Sequence, residues 1–168
     1  MMIEVSYRPA TIGDCHEIVK LKGEVWNTTY RGIYSDDTLA NYDVESNERT
    51  FVSIVNSPKM SLNVAMDAGK IIGFISCGEP YRPYLYYKQD IGLLYILQDY
   101  QGLGIGKTLF SLAKNQILKN GHKEFFVSVN KYNQKAIDFY IAMGGVVIHV
   151  DEDMQDKRAA QMKLIYKV

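Results

Sequence analysis

The chain has 168 residues, 47% of them hydrophobic, which fits a single domain with one buried core over residues 1–168 and not two independent domains. Its 19 Lys and Arg residues balance 19 Asp and Glu residues, so net charge gives no reason to expect a nucleic-acid, membrane or polycationic partner. Two cysteines, Cys15 and Cys77, are far apart and lack metal-ligand spacing, which argues against a disulfide scaffold and predicts reduced thiols and no metal.

The N-terminal third predicts one strand followed by helices. Residues 1–6 have no basic segment ahead of a long apolar run, and no later run approaches the roughly 18 apolar residues of a membrane helix. We therefore expect a cytoplasmic protein. Apolar and polar residues alternate from residue 3 to Pro9, which indicates a strand. A helix should follow Asp14 as its N-cap, and residues 35–55 have the spacing of one or two short helices.

The middle of the chain has the residue pattern of β-strands joined by turns. Residues 62–66 and 71–77 flank a turn signal at 67–70, which predicts a hairpin. A loop rich in proline and tyrosine follows at residues 80–87. Residues 91–97 are apolar enough to predict a strand that is buried on both faces.

The C-terminal third alternates helices and strands. Helices are predicted at residues 104–119 and 133–143, the second ending at a Gly-Gly pair. Strands are predicted at residues 125–129, 146–150 and 160–166. This order of elements predicts an α/β (α+β) fold with a mixed rather than a purely parallel sheet.

The glycine-rich turn at residues 101–106 is the segment with the clearest chemistry. Its glycines allow a backbone turn with inward-pointing amides, and the turn opens into a helix N-terminus, a geometry that binds phosphate oxygens. A tight strand-to-helix connection is the alternative interpretation. A P-loop would need glycine at Gln101, and a Rossmann fingerprint would need it at Leu109 or a neighbour, so neither nucleotide motif is favoured.

Two sequence blocks surround and follow this turn. Residues 99–107 match the pattern Gln/Arg-x-x-Gly-x-Gly/Ala, and residues 133–144 match Asn-x-x-Ala-x-x-Phe-Tyr-x-x-x-Gly. Together, at this separation, the two blocks resemble the GNAT superfamily of N-acetyltransferases. The resemblance covers residues 62–166 in element order, and residues 26–33 are similar to a segment of many small bacterial members. It implies a mixed, mostly antiparallel central sheet of about six or seven strands, flanked by about four helices and splayed between the fourth and fifth strands.

The resemblance implies that acetyl-coenzyme A binds along the central strand and the glycine-rich turn. A bulge near residues 94–96 would splay the strand, and the pantetheine arm would bond to backbone groups in the gap. Lys107 would contact a phosphate, although a solvated lysine is the alternative. The expected cofactor-binding residues are Leu94, Tyr95, Ile96, Gln101, Gly102, Leu103, Gly104, Ile105, Gly106, Lys107, Asn133 and Tyr140.

Acetyl transfer to an amine needs a proton acceptor for the amine and a proton donor for the departing thiolate. Tyr140 matches the family position that often supplies that proton, and ordinary packing beside Phe139 is the alternative. Asp90 stands where many members place a glutamate, so we expect it to act as the base, directly or through a water, with a strand-entry cap as the alternative. Glu79 is the alternative base, although a solvated strand terminus would also explain it. Cys77 lies on a predicted strand, which disfavours a ping-pong route through an acetyl-cysteine.

The expected function is acetyl-coenzyme A-dependent N-acetylation of a primary amine on a small molecule or peptide, by direct attack in a ternary complex. A non-catalytic acyl-coenzyme A-binding regulatory module is the alternative. Candidate acceptor contacts are Trp26, Tyr30, Glu79 and Tyr84, although packing or a dimer contact would also explain the aromatic residues. The sequence does not name the acceptor: a polyamine, an aminoglycoside, an amino acid and a protein N-terminus all stay open. A monomer and a homodimer are equally compatible with it.

Overall fold

A computed structural model describes residues 2–168 and contains a seven-stranded sheet with five α-helices. The strands are β1 (Val5–Pro9), β2 (Met60–Asp67), β3 (Lys70–Gly78), β4 (Asp90–Ile96), β5 (Glu124–Asn130), β6 (Val146–Val150) and β7 (Gln161–Lys167). The helices are α1 (Cys15–Tyr30), α2 (Asp36–Ala40), α3 (Val44–Asn56), α4 (Ile105–Lys119) and α5 (Gln134–Ala142). Within this part of the chain, no helix is both long and apolar enough to cross a membrane.

The sheet has the order β1-β2-β3-β4-β5-β7-β6, and β4–β5 is its parallel pair. The other neighbouring strands run antiparallel, which confirms the predicted mixed, mostly antiparallel fold. β4 and β5 pair only at Asp90 with Phe126 and Ile91 with Val127. The sheet therefore consists of two halves that meet at one end of β4 and separate beyond Ile91.

The bulge in β4 lies at Gly92, two residues before its predicted position. Ser76 of β3 faces Leu93 and Cys77 faces Ile91, so Gly92 is the extra residue in the ladder. A Cβ atom there would lie 3.2 Å from the Ser76 Oγ atom, closer than most side chains tolerate. The prediction that β4 is buried on both faces was also wrong, because residues 93–96 are partly exposed where the sheet opens.

The start of α1 was predicted correctly, but Asp14 does not cap the helix with its side chain. Its carboxylate instead accepts hydrogen bonds from the Arg8 guanidinium at 2.7 and 2.9 Å and from the Thr11 backbone N–H at 2.7 Å. These bonds lower the pKa of Asp14 to about 2. Asp14 therefore ties β1 to the entrance of α1.

An aromatic cluster joins α4, β5, α5 and β7. Phe125 and Tyr166 stack with ring centroids 4.6 Å apart, and Phe110 lies 5.2 Å from Tyr166. The Tyr166 hydroxyl donates a 2.6 Å hydrogen bond to the Tyr140 carbonyl oxygen. This bond fixes the C-terminal part of α5 against the sheet and sets the position from which the Tyr140 side chain projects.

Candidate functional site

A groove of about 1210 Å³ lies where β4 and β5 separate. Its walls come from the open half of β4, the end of β5, the glycine-rich turn, one face of α5 and one face of α1. The groove therefore follows directly from the short pairing between β4 and β5. It extends from a helix N-terminus at one end to a cluster of aromatic side chains at the other.

The glycine-rich turn has the backbone that only glycine adopts without strain. Gly102 and Gly104 have φ angles of 77° and 83°, and a Cβ atom on either would meet nothing within 4 Å. Gly106 is needed for a different reason, because a Cβ there would lie 3.2 Å from Ile96 Cδ1 and 3.3 Å from Phe139 Cε2. The turn therefore brings the N-terminus of α4 against β4 and opens its first amides toward the groove.

Two lysines lie beside this turn. Lys107 lines the groove as predicted, and Lys135 of α5 lines it as well. The Lys135 ammonium donates a 2.5 Å hydrogen bond to Gln101 Oε1, while Gln101 Nε2 donates a 2.9 Å bond to the Ile96 carbonyl oxygen. Lys135 was missed because it falls at a position that the Asn-x-x-Ala pattern leaves unspecified. The turn thus combines helix amides with two cations, which suits a phosphate-bearing ligand.

Two residues of the predicted cofactor set have side chains outside the groove. Leu103 is 55% exposed and, with Ile105, lines a second, smaller cavity beside β1. The Ile105 side chain is only 3% exposed and belongs to the core. In a turn with alternating left-handed residues, the side chains between the glycines point away from the concave side. Only the backbone of these two residues is therefore available to a ligand in the groove.

Leu94, Tyr95 and Ile96, three of the expected cofactor-binding residues, line the groove. Their strand is hydrogen-bonded to β3 on one side, but its pairing to β5 has already ended at Ile91. The Tyr95 ring stacks on Phe74 with centroids 5.4 Å apart, which fixes this part of β4 against the core. The backbone edge that faces the gap is therefore held rigid and open to a ligand.

Asn133 lines the groove but is already engaged at the N-terminus of α5. Its Oδ1 atom accepts a 3.2 Å hydrogen bond from the Ala136 N–H, and its Nδ2 atom lies 3.5 Å from the Tyr30 hydroxyl oxygen, to which it donates. Asn133 therefore acts as the N-cap of α5. It also ties this helix to α1 across the groove.

Tyr140 lines the same groove and is 7% exposed. Burial raises the pKa of its hydroxyl above the ordinary value, and the nearby Tyr30 and Asp90 side chains raise it further. The hydroxyl therefore keeps its proton at neutral pH. Because Tyr166 and the Gly145 N–H both bond to the Tyr140 carbonyl oxygen, the position of this residue is well defined.

Asp90 begins β4 at the end where the two half-sheets are still paired. Asp90 itself does not line the groove, but its Oδ1 atom would lie 3.7 Å from a Cβ atom on Gly92, a residue that does. Burial raises the pKa of Asp90 to about 7, although the positive charge of Lys163 opposes the rise. Within residues 2–168, the Asp90 carboxylate forms no ion pair. It is thus poised between its two protonation states near neutral pH.

Lys163 of β7 is a half-buried cation that no sequence motif singles out. Its ammonium donates a 2.5 Å hydrogen bond to the Ser128 Oγ atom and lies 5.1 Å from the centroid of the Tyr84 ring. Burial lowers its pKa, while the charges of Asp151 and Asp90 act in the opposite direction. Because Ser128 lines the groove, Lys163 lies directly behind its wall.

Trp26 and Tyr30 line the far end of the groove, as predicted, and Tyr34 lies beside them. The Tyr30 and Tyr34 rings stack with centroids 4.3 Å apart, and Trp26 lies 5.7 Å from Tyr34. Asn130 Nδ2 donates a 2.9 Å hydrogen bond to the Tyr34 hydroxyl oxygen. Tyr34 was missed because it follows the end of α1, in a segment without periodicity. These rings form an aromatic wall (Trp26, Tyr30 and Tyr34).

Glu79 and Tyr84, the other predicted acceptor contacts, do not line the groove. Glu79 Oε2 forms a 3.0 Å ion pair with Lys59 Nζ at the surface, because the chain turns toward Lys59 at Gly78. Gly78 has a φ angle of 132°, and a Cβ atom there would lie 2.3 Å from the Lys59 carbonyl oxygen. Tyr84 packs on Phe126, with ring centroids 5.5 Å apart. Neither residue fills its predicted place.

The remaining nucleophile and base candidates lie away from the groove. Cys77 is buried, its thiol donates a 3.7 Å hydrogen bond to the Ala113 carbonyl oxygen, and burial raises its pKa to about 12. Cys15 is also buried and reduced. His16 pairs with Glu48 at 3.2 Å and His149 with Asp151 at 2.8 Å.

The sequence profile of the Acetyltransferase (GNAT) family matches residues 24–144. A spermidine N(1)-acetyltransferase of Thermoplasma acidophilum is 29% identical over 157 residues, which cover 90% of this chain and 92% of that protein. YuaI of Bacillus subtilis, an uncharacterized N-acetyltransferase, is 28% identical over 138 residues, covering 82% of this chain and 78% of that protein.

The fold is also similar to that of a solved structure, the PaiA N-acetyltransferase of Thermoplasma acidophilum in complex with coenzyme A. The TM-score is 0.82 at 23% identity, and the alignment covers 98% of this chain and 99% of the other. At this identity the likeness bears on the fold alone. The family profile spans the groove from α1 through the glycine-rich turn to the end of α5. The chain therefore belongs to the Acetyltransferase (GNAT) family, and the reaction it catalyses is acetyl transfer.

Proposed function

We propose that the protein transfers the acetyl group of acetyl-coenzyme A to a primary amine of a small molecule or peptide, by direct attack in a ternary complex. The observation that carries the proposal is the continuous groove between the glycine-rich turn and the aromatic wall. The coenzyme would occupy one end of this groove and the acceptor the other, so the proposed reaction needs no covalent intermediate on the enzyme. The relationship to a spermidine N(1)-acetyltransferase supports an amine as the acceptor.

In this proposal the coenzyme lies along the groove with its pyrophosphate on the turn at residues 102–107. The first amides of α4 and the ammonium groups of Lys107 and Lys135 would neutralise the phosphates. The pantetheine amides would bond to the backbone of Tyr95 and Ile96, taking the place that β5 leaves vacant as an added strand would. The thioester would then lie near the bulge at Gly92.

The chemistry requires a neutral amine. The amine nitrogen attacks the thioester carbonyl carbon, and Asp90, directly or through a water, takes the proton that the nitrogen loses. Backbone amides of β4 stabilise the negative charge on the carbonyl oxygen. The carbon–sulfur bond then breaks, and the Tyr140 hydroxyl donates its proton to the departing thiolate. The products are an N-acetylated amine and coenzyme A.

A ping-pong route is not part of the proposal. Cys77 is the cysteine nearest to the central strand in sequence, but its thiol is buried and its pKa is raised to about 12. A thiol with such a pKa is almost entirely protonated at neutral pH and is a poor nucleophile. Direct attack by the acceptor amine is therefore the simpler route.

Two measurements test the proposed function. Isothermal titration should show binding of acetyl-coenzyme A and no comparable binding of ATP. Thiol release from acetyl-coenzyme A should then depend on the added amine, and initial rates at varied concentrations of both substrates should give the intersecting lines of a ternary complex. Parallel lines would exclude direct attack. Acetyl-coenzyme A binding without thiol release across polyamines, amino acids, aminoglycosides and peptides would favour a regulatory module instead.

A further inference from the structure

The charged side chains that line the groove are all positively charged. Within residues 2–168, no Asp or Glu lines the groove. Lys107 and Lys135 lie at the end assigned to the coenzyme phosphates. The full set of cations that line it is Lys22, Arg82, Lys107, Lys135 and Arg158.

Arg82 and Arg158 belong to the other end of the groove. Asn130 Nδ2 donates hydrogen bonds to the Tyr34 hydroxyl oxygen and to the Lys157 carbonyl oxygen, which brings the residue before Arg158 beside the aromatic wall. Arg82 is two residues from Tyr84, whose ring centroid lies 5.1 Å from the Lys163 ammonium. Arg82 follows β3 in the loop before β4, and Arg158 precedes β7. Two separate loops therefore bring guanidinium groups to the side where an acceptor would enter.

Three of the four carboxylates of the loop before β7 are already engaged, and the fourth, Glu152, is exposed and does not line the groove. Both oxygens of Asp156 accept hydrogen bonds from the Arg158 guanidinium at 3.1 Å. Asp151 pairs with His149 at 2.8 Å and accepts a 2.9 Å bond from the Gln161 N–H. Asp153 accepts from Lys131 at 2.9 Å and from Tyr132 at 2.8 Å. None of these three carboxylates is left to receive an ammonium group of a substrate.

Arg82 differs from Arg158 in this respect. Within the part of the chain that the structure describes, its guanidinium forms neither a hydrogen bond nor an ion pair, and the side chain is exposed. The nearby Lys163 ammonium bonds to Ser128 and adds a second positive charge behind the wall. Asp90, the remaining carboxylate in this region, is assigned to the proton transfer. The acceptor end therefore presents an unpaired guanidinium, and within residues 2–168 no carboxylate side chain lines it.

We propose that the acceptor is a primary amine that also carries a carboxylate, such as an amino acid or a short peptide, and that Arg82 binds this carboxylate. The inference rests on the proposed function and specifies its substrate class. A polyamine keeps further ammonium groups after one amine is acetylated, and a wall of cations repels them. The same wall lowers the pKa of a bound amine and thus favours the neutral form that attacks the thioester.

The proposal separates this protein from the relative described as a spermidine N(1)-acetyltransferase, which shares 29% of aligned residues. At that identity the acceptor contacts of two relatives are free to differ. Arg82 lies in a loop whose conformation is set locally by Pro80 and Pro83. Relatives that differ in the sequence of this loop could therefore bind different acceptors without any change at the coenzyme end of the groove.

Three amines that share the same unbranched four-carbon skeleton test the proposal: γ-aminobutyrate, butylamine and putrescine. They place a carboxylate, a methyl group or a second ammonium at the far end of the molecule. We expect kcat/KM to be highest for γ-aminobutyrate, at least about tenfold above butylamine, and lowest for putrescine. Alanine and alaninamide give a second pair in which the carboxylate lies next to the amine, and a dipeptide with and without a C-terminal amide gives a third.

The preference to be measured is the ratio of kcat/KM for the acceptor with a carboxylate to kcat/KM for its partner without one, in whichever pair reacts. Arg82→Gln should lower this ratio about tenfold, and Arg82→Lys should retain most of it. Lys88→Gln is the matched control, because it removes one exposed positive charge from the same loop outside the groove. The inference is overturned if putrescine or spermidine is the best acceptor, or if Arg82→Gln leaves the preference unchanged. If the titration shows that the wild-type protein does not bind acetyl-coenzyme A, the proposed function itself is overturned.

Discussion

Burial raises the pKa of both Asp90 and Tyr140, and the consequence differs for the two side chains. A carboxylate with a pKa near 7 is a stronger base than an ordinary aspartate and is still ionised in part at neutral pH. A phenol with a raised pKa stays protonated at neutral pH and is therefore available as a proton donor. In the proposed reaction it donates its proton to the departing coenzyme A thiolate. Burial thus leaves Asp90 near the midpoint of its titration and keeps Tyr140 protonated.

Asp90→Asn should lower kcat/KM roughly 10²- to 10⁴-fold and remove the acid limb that the wild type should show near pH 7. The pH profile of kcat/KM, measured with an acceptor of low amine pKa, checks this prediction. Asp138→Asn, on the exposed face of α5, should leave rate and profile unchanged. If the limb persists in Asp90→Asn, a different group accepts the proton.

The same substitution has a consequence for stability. The folded-state pKa of Asp90 is about 7 against a usual 3.8, so ionising this carboxyl in the folded protein costs free energy. Stability from the neutral carboxyl is therefore fully present below about pH 4 and is lost as the pH rises through about 7. In urea unfolding, Asp90→Asn should gain stability relative to the wild type at pH 8 but not at pH 4. If the free energy of unfolding differs between Asp90→Asn and the wild type by the same amount at both pH values, the assigned pKa is wrong.

Tyr140→Phe should lower kcat by roughly 10²-fold with little change in the KM for acetyl-coenzyme A, because phenylalanine retains the ring but cannot donate a proton. The fold should be preserved, since Tyr166 and Gly145 bond to the backbone oxygen of residue 140 and not to its side chain. Tyr100→Phe serves as the control, because that hydroxyl bonds to Asp67 outside the groove. Steady-state kinetics with purified variants distinguish the two substitutions.

At the residue scale, the sequence predicted best where a local pattern names the residue. Gly102, Gly104, Gly106 and Tyr140 lie in two short motifs, and all four line the groove. Lys163 and Tyr34 could not be found in this way, because each comes from a distant segment and reaches the site only through the fold. Glu79 was misplaced because the sharp turn at Gly78 depends on its approach to Lys59, a contact between residues far apart in the chain.

At the element scale, hydrophobic periodicity and turn residues located the helices and strands, whose ends mostly fall within two residues of the prediction. Periodicity did not reveal that β4 is open along its second half. An apolar strand has the same sequence whether its neighbour is another strand or a ligand. The glycine-rich turn is different, since the positive φ angles of Gly102 and Gly104 are ones that glycine alone adopts easily, so its shape can be predicted from the sequence.

Gly102 and Gly121 form a matched pair for testing the turn. Their φ angles are 77° and 86°, and a Cβ atom on either would meet nothing within 4 Å. Substitution by alanine should therefore cost both variants a similar free energy of unfolding, about 1 kcal/mol. Only Gly102→Ala should weaken acetyl-coenzyme A binding, because Gly121 follows the far end of α4. Chemical unfolding and isothermal titration measure the two effects separately. Equal affinities would show that the turn does not hold the coenzyme.

At the scale of the whole molecule, the sheet is two half-sheets with a limited connection. The first half comprises β1 to β4, the second comprises β5, β7 and β6, and two residue pairs join them. Helix α5 and the contact between Asn133 and Tyr30 supply further links across the groove. A ligand that occupies the gap would touch both halves. Coenzyme binding should therefore change the dynamics of the connection as well as filling the groove.

Hydrogen exchange tests this expectation. Without ligand, backbone amides of residues 93–96 that face the gap should exchange quickly, because β5 no longer pairs with β4 there. Acetyl-coenzyme A should slow their exchange, since its pantetheine arm would occupy the vacant edge, while exchange in β6 at the far edge should stay unchanged.

At about 100 times its Kd the ligand should add ~2.7 kcal/mol to the free energy of unfolding and raise Tm by roughly 5–10 °C. The nucleotide portion of the coenzyme alone should raise Tm less and leave residues 93–96 unprotected. Protection confined to the glycine-rich turn with the intact coenzyme would mean that the pantetheine arm does not lie along β4.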